Sequence, residues 1–314
     1  MKKINCLLVF LILFAINVQA QEVLTEKATP ISFWERSNSV GLDLTQVSFV
    51  NWNAGGQNSI SALAKGQFTR KYVKGRFLWN NELIARYGFN KQVDREYRKT
   101  DDIIQMNSTA GYKTDSISNW YYSAKFNFNT QFTSGYNYPN TEKAISKPFA
   151  PAYIFLGVGT EYVNKEMNLT AYFSPLTVKT TLVIDQTLAD DGAFGVDAAT
   201  YDDLGNLLRH GRKNRTEIGA LITSHYKTQV WENIDLDARA TFYSDYLNKF
   251  GNIDVDMQLN LNMKVNKYVR ASIITHLIYD DDIKAVKEVD GENVKIGPRI
   301  QLKQILGVGI AYTF

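Results

Sequence analysis

Ile305-Leu306-Gly307-Val308-Gly309-Ile310-Ala311-Tyr312-Thr313-Phe314 closes the sequence in unbroken alternation. Extended back to Arg299, the even positions read Ile300, Leu302, Gln304, Leu306, Val308, Ile310, Tyr312 and Phe314. The odd ones read Arg299, Gln301, Lys303, Ile305, Gly307, Gly309, Ala311 and Thr313. Successive side chains of a strand point to opposite faces. One face of this strand is therefore apolar and the other polar or small, as in a wall with apolar surroundings outside and a wet or tightly packed interior behind it.

Working upstream, the same pattern recurs. Ile253, Val255, Met257, Leu259, Leu261, Met263 and Val265 alternate with Asp254, Asp256, Gln258, Asn260, Asn262 and Lys264. Trp120, Tyr122, Ala124, Phe126 and Phe128 oppose Tyr121, Ser123, Lys125, Asn127 and Asn129. Ile234, Leu236, Ala238, Ala240 and Phe242 oppose Asp235, Asp237, Arg239, Thr241 and Tyr243, and Val269, Ala271, Ile273, Leu277 and Tyr279 oppose Arg270, Ser272 and His276. Weaker members begin near Val40, Ser59, Arg76, Ile103, Ala152, Asn168 and Thr216. Alternating stretches of about ten residues separated by turns are the signature of a transmembrane antiparallel up-and-down β-barrel. The total predicts an all-β fold of twelve strands over 38–314. Between Met167 and Ile184 the phase changes around Pro175, which predicts either a bulge or two shorter elements.

Connections test that topology, because such barrels have short periplasmic turns and longer outer loops. With the first strand rising from the periplasm, the short connections at 72–74, 114–118, 164–166, 229–233 and 266–267 fall on one side. The longer ones, 91–101, 133–151, 185–213 and 281–298, fall on the other, with 51–57 and 247–251 as shorter members.

The N-terminus carries Lys2 and Lys3, an apolar run from Cys6 to Ile16, and Val18-Gln19-Ala20 as a small-residue cleavage site. This is expected to be a secretory signal peptide over 1–20 that is cleaved on export, followed by a periplasmic extension over 21–37. Cys6, the single cysteine, lies in the leader, so no disulfide is expected. Past the leader no apolar stretch approaches the ~18 residues of a transmembrane helix. Basic and acidic side chains nearly balance, 35 against 32, which argues against nucleic acid as a partner. Eighteen tyrosines and seventeen phenylalanines with six prolines suit long strands with aromatic girdles.

A barrel of this size lies between the roughly eight-stranded kind filled by side chains and the ~16-stranded kind with an aqueous channel. The lumen-facing candidates are Arg76, Arg86, Asp235, Asp237, Arg239, Asp254, Asp256, Lys264, Arg270 and His276, with Asp43, Lys65, Glu82, Lys125 and Lys303 on the same faces. Mixed signs do not indicate a strongly ion-selective path. They either pair across the lumen or contact solute. The connection 185–213 has turn chemistry and one apolar anchor, Phe194, that either constricts the mouth or covers the outside. Asn53-Ala54-Gly55-Gly56 reads as a tight outer turn. Asp245, Asp254 and Asp256 read as a solvated rim in preference to a cation site, and Asp280-Asp281-Asp282 lacks the spacing of a calcium loop. A lipid hydrolase needs a nucleophile, a histidine and an orienting group together. His210 falls in a loop, and His225 and His276 face inward near opposite ends of the barrel. No catalytic set, metal site or cofactor is expected.

The closing strand with its terminal aromatic resembles that of bacterial outer-membrane β-barrels, in which this aromatic is an assembly signal. Five separated segments add to the likeness: Trp52-Asn53-Ala54-Gly55-Gly56-Gln57-Asn58-Ser59-Ile60-Ser61, Arg98-Lys99-Thr100-Asp101-Asp102, Gly135-Tyr136-Asn137-Tyr138-Pro139, Asp185-Gln186-Thr187-Leu188-Ala189-Asp190 and Thr275-His276-Leu277-Ile278-Tyr279-Asp280-Asp281-Asp282. Together they resemble an outer-membrane barrel family of Bacteroidetes filed as a domain of unknown function. The resemblance implies a bacterial outer-membrane location but no activity, ligand or catalytic residue. The expected partners are outer-membrane lipid and lipopolysaccharide, the outer-membrane assembly machinery and small solutes. The expected role is a narrow channel or solute-binding pore, with a non-conducting structural or surface-interaction barrel as the alternative.

Overall fold

A computed structural model of the chain describes residues 32–48, 57–115, 117–248, 250–289 and 292–314, with side chains left undescribed over 284–296. The expected leader, most of the extension and the turn at Asn53–Gly56 lie outside the described residues.

Twelve strands form one closed antiparallel barrel: β1 (Trp34–Val47), β2 (Ser59–Lys74), β3 (Phe77–Gln92), β4 (Arg98–Lys113), β5 (Trp120–Thr130), β6 (Ala152–Asn164), β7 (Leu169–Leu182), β8 (Asn214–Trp231), β9 (Ile234–Asp245), β10 (Asp254–Lys264), β11 (Val269–Tyr279) and β12 (Gln301–Thr313). Each pairs with its neighbours in the chain, and β12 returns to β1. The chain end takes part: the amides and carbonyls of Asn38 and Phe314 exchange two backbone hydrogen bonds of 2.9 Å.

Two boundaries differ from expectation. β1 begins at Trp34, so 34–37, assigned by sequence to the extension, pair with Thr69–Tyr72 of β2. Their polar composition hid the strand, since Glu35 pairs with Lys71 and Asn38 with Arg70 through side chains. The connection expected over 91–101 shrinks to 93–97, because β3 and β4 continue pairing to Asn90↔Arg98 past a bulge at Gly88 and Phe89. The anticipated irregularity at Pro175 is a bulge within a single strand. Val158 pairs with Leu176 but Thr160 with Phe173, and the ladder to β8 shifts likewise between Gly219 and Leu221. Ser174 Oγ fills the bulge, 2.8 Å from the Val158 carbonyl and 2.9 Å from that of Leu176. The flanking strand approaches so closely that a Cβ on Gly159 would lie 2.0 Å from the Phe173 carbonyl oxygen.

The connections sort by side as predicted. Five short ones, 75–76, 114–119, 165–168, 232–233 and 265–268, gather at one end with both barrel termini. Gly75 and Asn233 take positive φ, 57° and 61°, in the two tightest of them. At the other end, 131–151, 183–213 and 280–300 carry small hairpins, and 183–213 also a short helix, α1 (Gln186–Asp190).

The outward face is apolar where water would penalise it. On β12, Leu302, Leu306, Val308 and Ile310 are 67, 69, 53 and 60% exposed. Leaving such side chains in water forfeits about 1.5–3 kcal/mol each. Aromatic rings bracket this band. At the short-turn end Trp34 contacts Tyr72 and Trp79 with centroids 5.1 and 5.8 Å apart, Trp120 contacts Tyr162 at 5.1 Å, and Tyr312 stacks on Phe314 at 5.6 Å. At the long-loop end Tyr87 meets Phe132, Phe89 meets Tyr97 and Phe128 meets Phe149. Along β3 the girdles are ~10 residues apart, about 33 Å of strand and, at a tilt near 40°, about 25 Å of height, the thickness of such a band in outer-membrane barrels.

Candidate functional site

Alternation sends the polar half of every strand into the lumen, where the charges find one another. Arg239 on β9 reaches Glu82 on β3, half-way round the ring, through two bonds of 2.6 and 2.9 Å. A planar guanidinium matched to a carboxylate this way is both strong and directional. Glu82 also accepts from Gln67 at 2.6 Å and Asn107 at 3.2 Å, and Asn127 donates to Asn107 at 2.6 Å. Asp237 lies 3.2 Å from Arg239, 3.0 Å from His225 and 3.1 Å from Lys227. Other bridges cross the interior: Lys65, paired with Asp43 of the neighbouring strand at 2.8 Å, reaches Ser272 at 3.2 Å, Lys125 reaches Thr223 at 2.6 Å, and Lys303 reaches Asp101 at 2.7 Å.

The brace formed by Arg239 and Glu82 stands at the boundary of two cavities. The larger, about 660 Å³, is lined from β3 round to β12 and extends up to Phe194 and Ile283 of the long loops. The smaller, about 140 Å³, is lined from β9 round through β12 to β1, β2 and β3. Arg239 and Gln258 border both. Six carboxylates line the larger cavity against four lysine or arginine side chains and two histidines, so its wall is mixed in sign.

Most predicted lumen residues converge here. Arg86 is 7% exposed and bonds Asp101 at 2.8 Å. Asp254 meets Lys179 at 2.7 Å, and Asp256 meets His276 at 3.0 Å. Arg270 borders the smaller cavity, its Nε buried and without a hydrogen-bond partner among the described residues. Asp235 and Lys264 pair at 2.5 Å close to the short-turn rim, half-exposed and outside both cavities. Arg76 is a correction: it belongs to the exposed turn before β3 and donates to the Thr114 carbonyl at 3.0 Å, because the strand starts one residue later. His225, toward the short-turn end of β8, and His276, toward the long-loop end of β11, both line the larger cavity and are linked by the register row His225, Arg239, Gln258 and His276.

Phe194 lies at the mouth. Its backbone is left-handed, φ 56°, a conformation costly for a bulky residue. It is held by a small core of Ala150, Val183, Leu188, Ala189 and Val196. Arg215 anchors this loop, donating to the Gly195 carbonyl at 3.1 Å and meeting Asp282 of the next loop at 2.7 Å. Asp185 caps α1 by accepting from the Leu188 amide at 3.1 Å. The hydrogen bond from Lys147 holds its carboxyl below the usual carboxylate range.

Sequence reasoning missed Lys179, 4% exposed, which faces Asp254, Glu217 at 3.5 Å and Asp280 at 3.8 Å, with the Tyr243 ring centroid 5.0 Å away. The bulge at Pro175 reverses the parity that would have flagged it. Asp101 was legible: continuing Thr109, Asn107, Gln105 and Ile103 by one more step places it inside.

Residues 44–136 match the family described as protein of unknown function (DUF3078). No curated protein matches the chain in sequence. Among solved structures it is similar to the translocator domain of the autotransporter NalP from Neisseria meningitidis, at 10% identity over 99% of this chain and 96% of that one, TM-score 0.36. It is also similar to an outer membrane channel from Pseudomonas putida F1, at 10% identity over 93% and 100%, TM-score 0.39. A third is the beta domain of the Bordetella autotransporter BrkA, at 9% identity over 89% and 98%, TM-score 0.31.

Proposed function

We propose that this protein is an outer-membrane barrel that holds a small solute in a lumen braced across its middle, with the long loops on the cell surface. The apolar band between two aromatic girdles supports the membrane setting, and the leader-like N-terminus supports export. One observation carries the solute reading. A 660 Å³ cavity, within the ~300–1,000 Å³ range of small-molecule sites, is bounded by the two-pronged bridge from Arg239 to Glu82. Because that bridge joins opposite strands, it blocks the direct path through the barrel. Phe194, held in a strained backbone at the mouth, restricts entry from the loop side.

The role is non-enzymatic. His225 and His276 face Asp237 and Asp256 inside the lumen, away from the outward face at which a phospholipid ester would arrive. A surface-interaction barrel is the second reading, favoured by the folded loop 183–213 with its own small core.

Conductance in a planar bilayer tests the reading. The natural protein is expected to conduct little, and the double variant E82A/R239A severalfold more, with the solute cavity joined to the smaller one. If the double variant folds and conducts no better, the brace does not close the lumen and the surface-interaction reading takes its place.

A further inference from the structure

The seam between β1 and β12 is the barrel's least fastened wall. Its ladder has five rungs, from Ser39↔Thr313 to Asp43↔Gly309, whereas every other neighbouring pair shares ten or more. Toward the long-loop end Leu44–Val47 stay paired to β2 and Gln301–Ile310 to β11, yet the ladder has no rung between Leu44–Val47 and Gln301–Val308. Asp43 marks where the zipper ends. Bonded to Lys65, it leans over the β12 backbone so closely that a Cβ on Gly307 would come within 2.4 Å of its Oδ2. A Cβ on Gly309 would meet the Leu42 carbonyl at 2.1 Å. Glycine at 309 lets the two strands fasten at the last rung, and glycine at 307 makes room for the Asp43 carboxylate beyond it.

Two observations make this a passage. Gln301, Leu302 and Lys303, on the stretch of β12 that has no rung to β1, line the 660 Å³ cavity. The cavity therefore reaches the wall where β12 lacks its neighbour. The borders of the gap are also amphipathic. Leu44 and Leu306, 55 and 69% exposed, face out, while Lys303 bonded to Asp101 stands behind them. Strand backbone left unpaired within hydrocarbon is costly and is tolerated where it borders a water-bearing cavity.

We propose that the upper seam is a lateral portal through which a small amphipathic solute, an apolar chain or ring with one polar head, exchanges between the outer leaflet and the lumen. This rests on the solute-holding reading above. Apolar flanks accept the body of such a molecule, and the mixed-charge wall accepts its head.

Single cysteines test it in phosphatidylcholine nanodiscs. The sequence beyond the leader is free of native cysteine. Ile278→Cys lines the cavity beside Gln301, and Asn127→Cys lines its far wall. N-dodecylmaleimide, which partitions into lipid, is expected to label Ile278→Cys at least tenfold faster than Asn127→Cys. A maleimide bearing a sulfonated fluorophore is expected to label both within a few fold. Equal rates with the dodecyl reagent overturn the portal and leave the cavity standing; failure of both reagents at both sites overturns the solute-holding lumen as well. A second measurement asks about the seam alone. Oxidation should link L42C/I310C, a paired rung, quickly and L44C/V308C at least tenfold more slowly. Equal linkage means a closed seam, and a disulfide-linked dimer from Leu306→Cys means that a second copy covers the edge; either result removes the portal.

Discussion

The two faces of the same strands obey different rules. On the outward face, Leu259, Leu306 and Ile310 need only be apolar, and neighbours of similar size would serve as well. Inside, Arg239 meets Glu82, Lys303 meets Asp101 and Lys179 meets Asp254, each a partner fixed by distance and direction. The first face is a matter of composition and tolerates exchange. The second is a matter of geometry and punishes the loss of one member more than the loss of both.

That asymmetry gives the largest expected effect. Arg239→Ala leaves Glu82 desolvated opposite an empty site, a loss of about 3–5 kcal/mol for a broken buried pair, whereas E82A/R239A should recover most of it. Urea unfolding of the refolded barrel, with the single variants and the double, measures the coupling. Additive losses would mean that the bridge carries no specific interaction.

Next comes Leu259→Arg on the outward face at the middle of β10. A cation facing mid-membrane costs about 2–4 kcal/mol, and folded yield in lipid should fall accordingly. Asn260→Asp, one residue along, faces the smaller cavity beside Arg270 and should cost far less. Equal effects in lipid would exchange or erase the two faces.

These contrasts also explain what the sequence could disclose. The outward face is legible because it repeats: Leu302, Leu306, Val308 and Ile310 announce strand, phase and surroundings without knowledge of any partner. Loop parity extended this to topology. The lumen was legible only as an inventory. That Arg239 would bond Glu82, 157 residues away, depends on which strands stand opposite, and alternation carries no such information. Lys179 was lost to a single extra residue at Pro175, which moves every later side chain to the other face. Trp34–Ser37 were lost because polar pairs at a rim do not alternate in hydropathy.

The bulge supplies a smaller effect of a third kind, set by neither face. Gly159→Ala would drive a Cβ to 2.0 Å from the Phe173 carbonyl oxygen, so the strands must part, at about 1–3 kcal/mol for overpacking. Gly75→Ala meets nothing within 4 Å and loses only the comfort of its φ of 57°, about 1 kcal/mol. If both alanine variants unfold at the same urea concentration, close strand approach at the bulge is not a constraint on the fold.

The smallest effect separates the loop cap from the wall. Asp185 caps α1 and bonds Lys147 at 2.6 Å, and that bond first, with the cap's own amide bonds after it, lowers its carboxyl. A folded-state value below the unfolded one contributes stability that is present above the unfolded carboxylate range, near ~3.9. It is lost as pH falls through the lowered value. Acidification from pH 5 toward 2 should therefore speed hydrogen exchange at the Leu188 amide while the strands of the barrel stay protected. Asp185→Ala should do the same at neutral pH, by about 1 kcal/mol for a lost N-cap, and should remove the acid dependence. Asp185→Asn, which retains the cap, should lose the acid step with little loosening. If Asp185→Ala leaves exchange at Leu188 unchanged, α1 is held by its apolar contacts with Ala150 and Val183 instead, and the loop belongs with the compositional face rather than the geometric one.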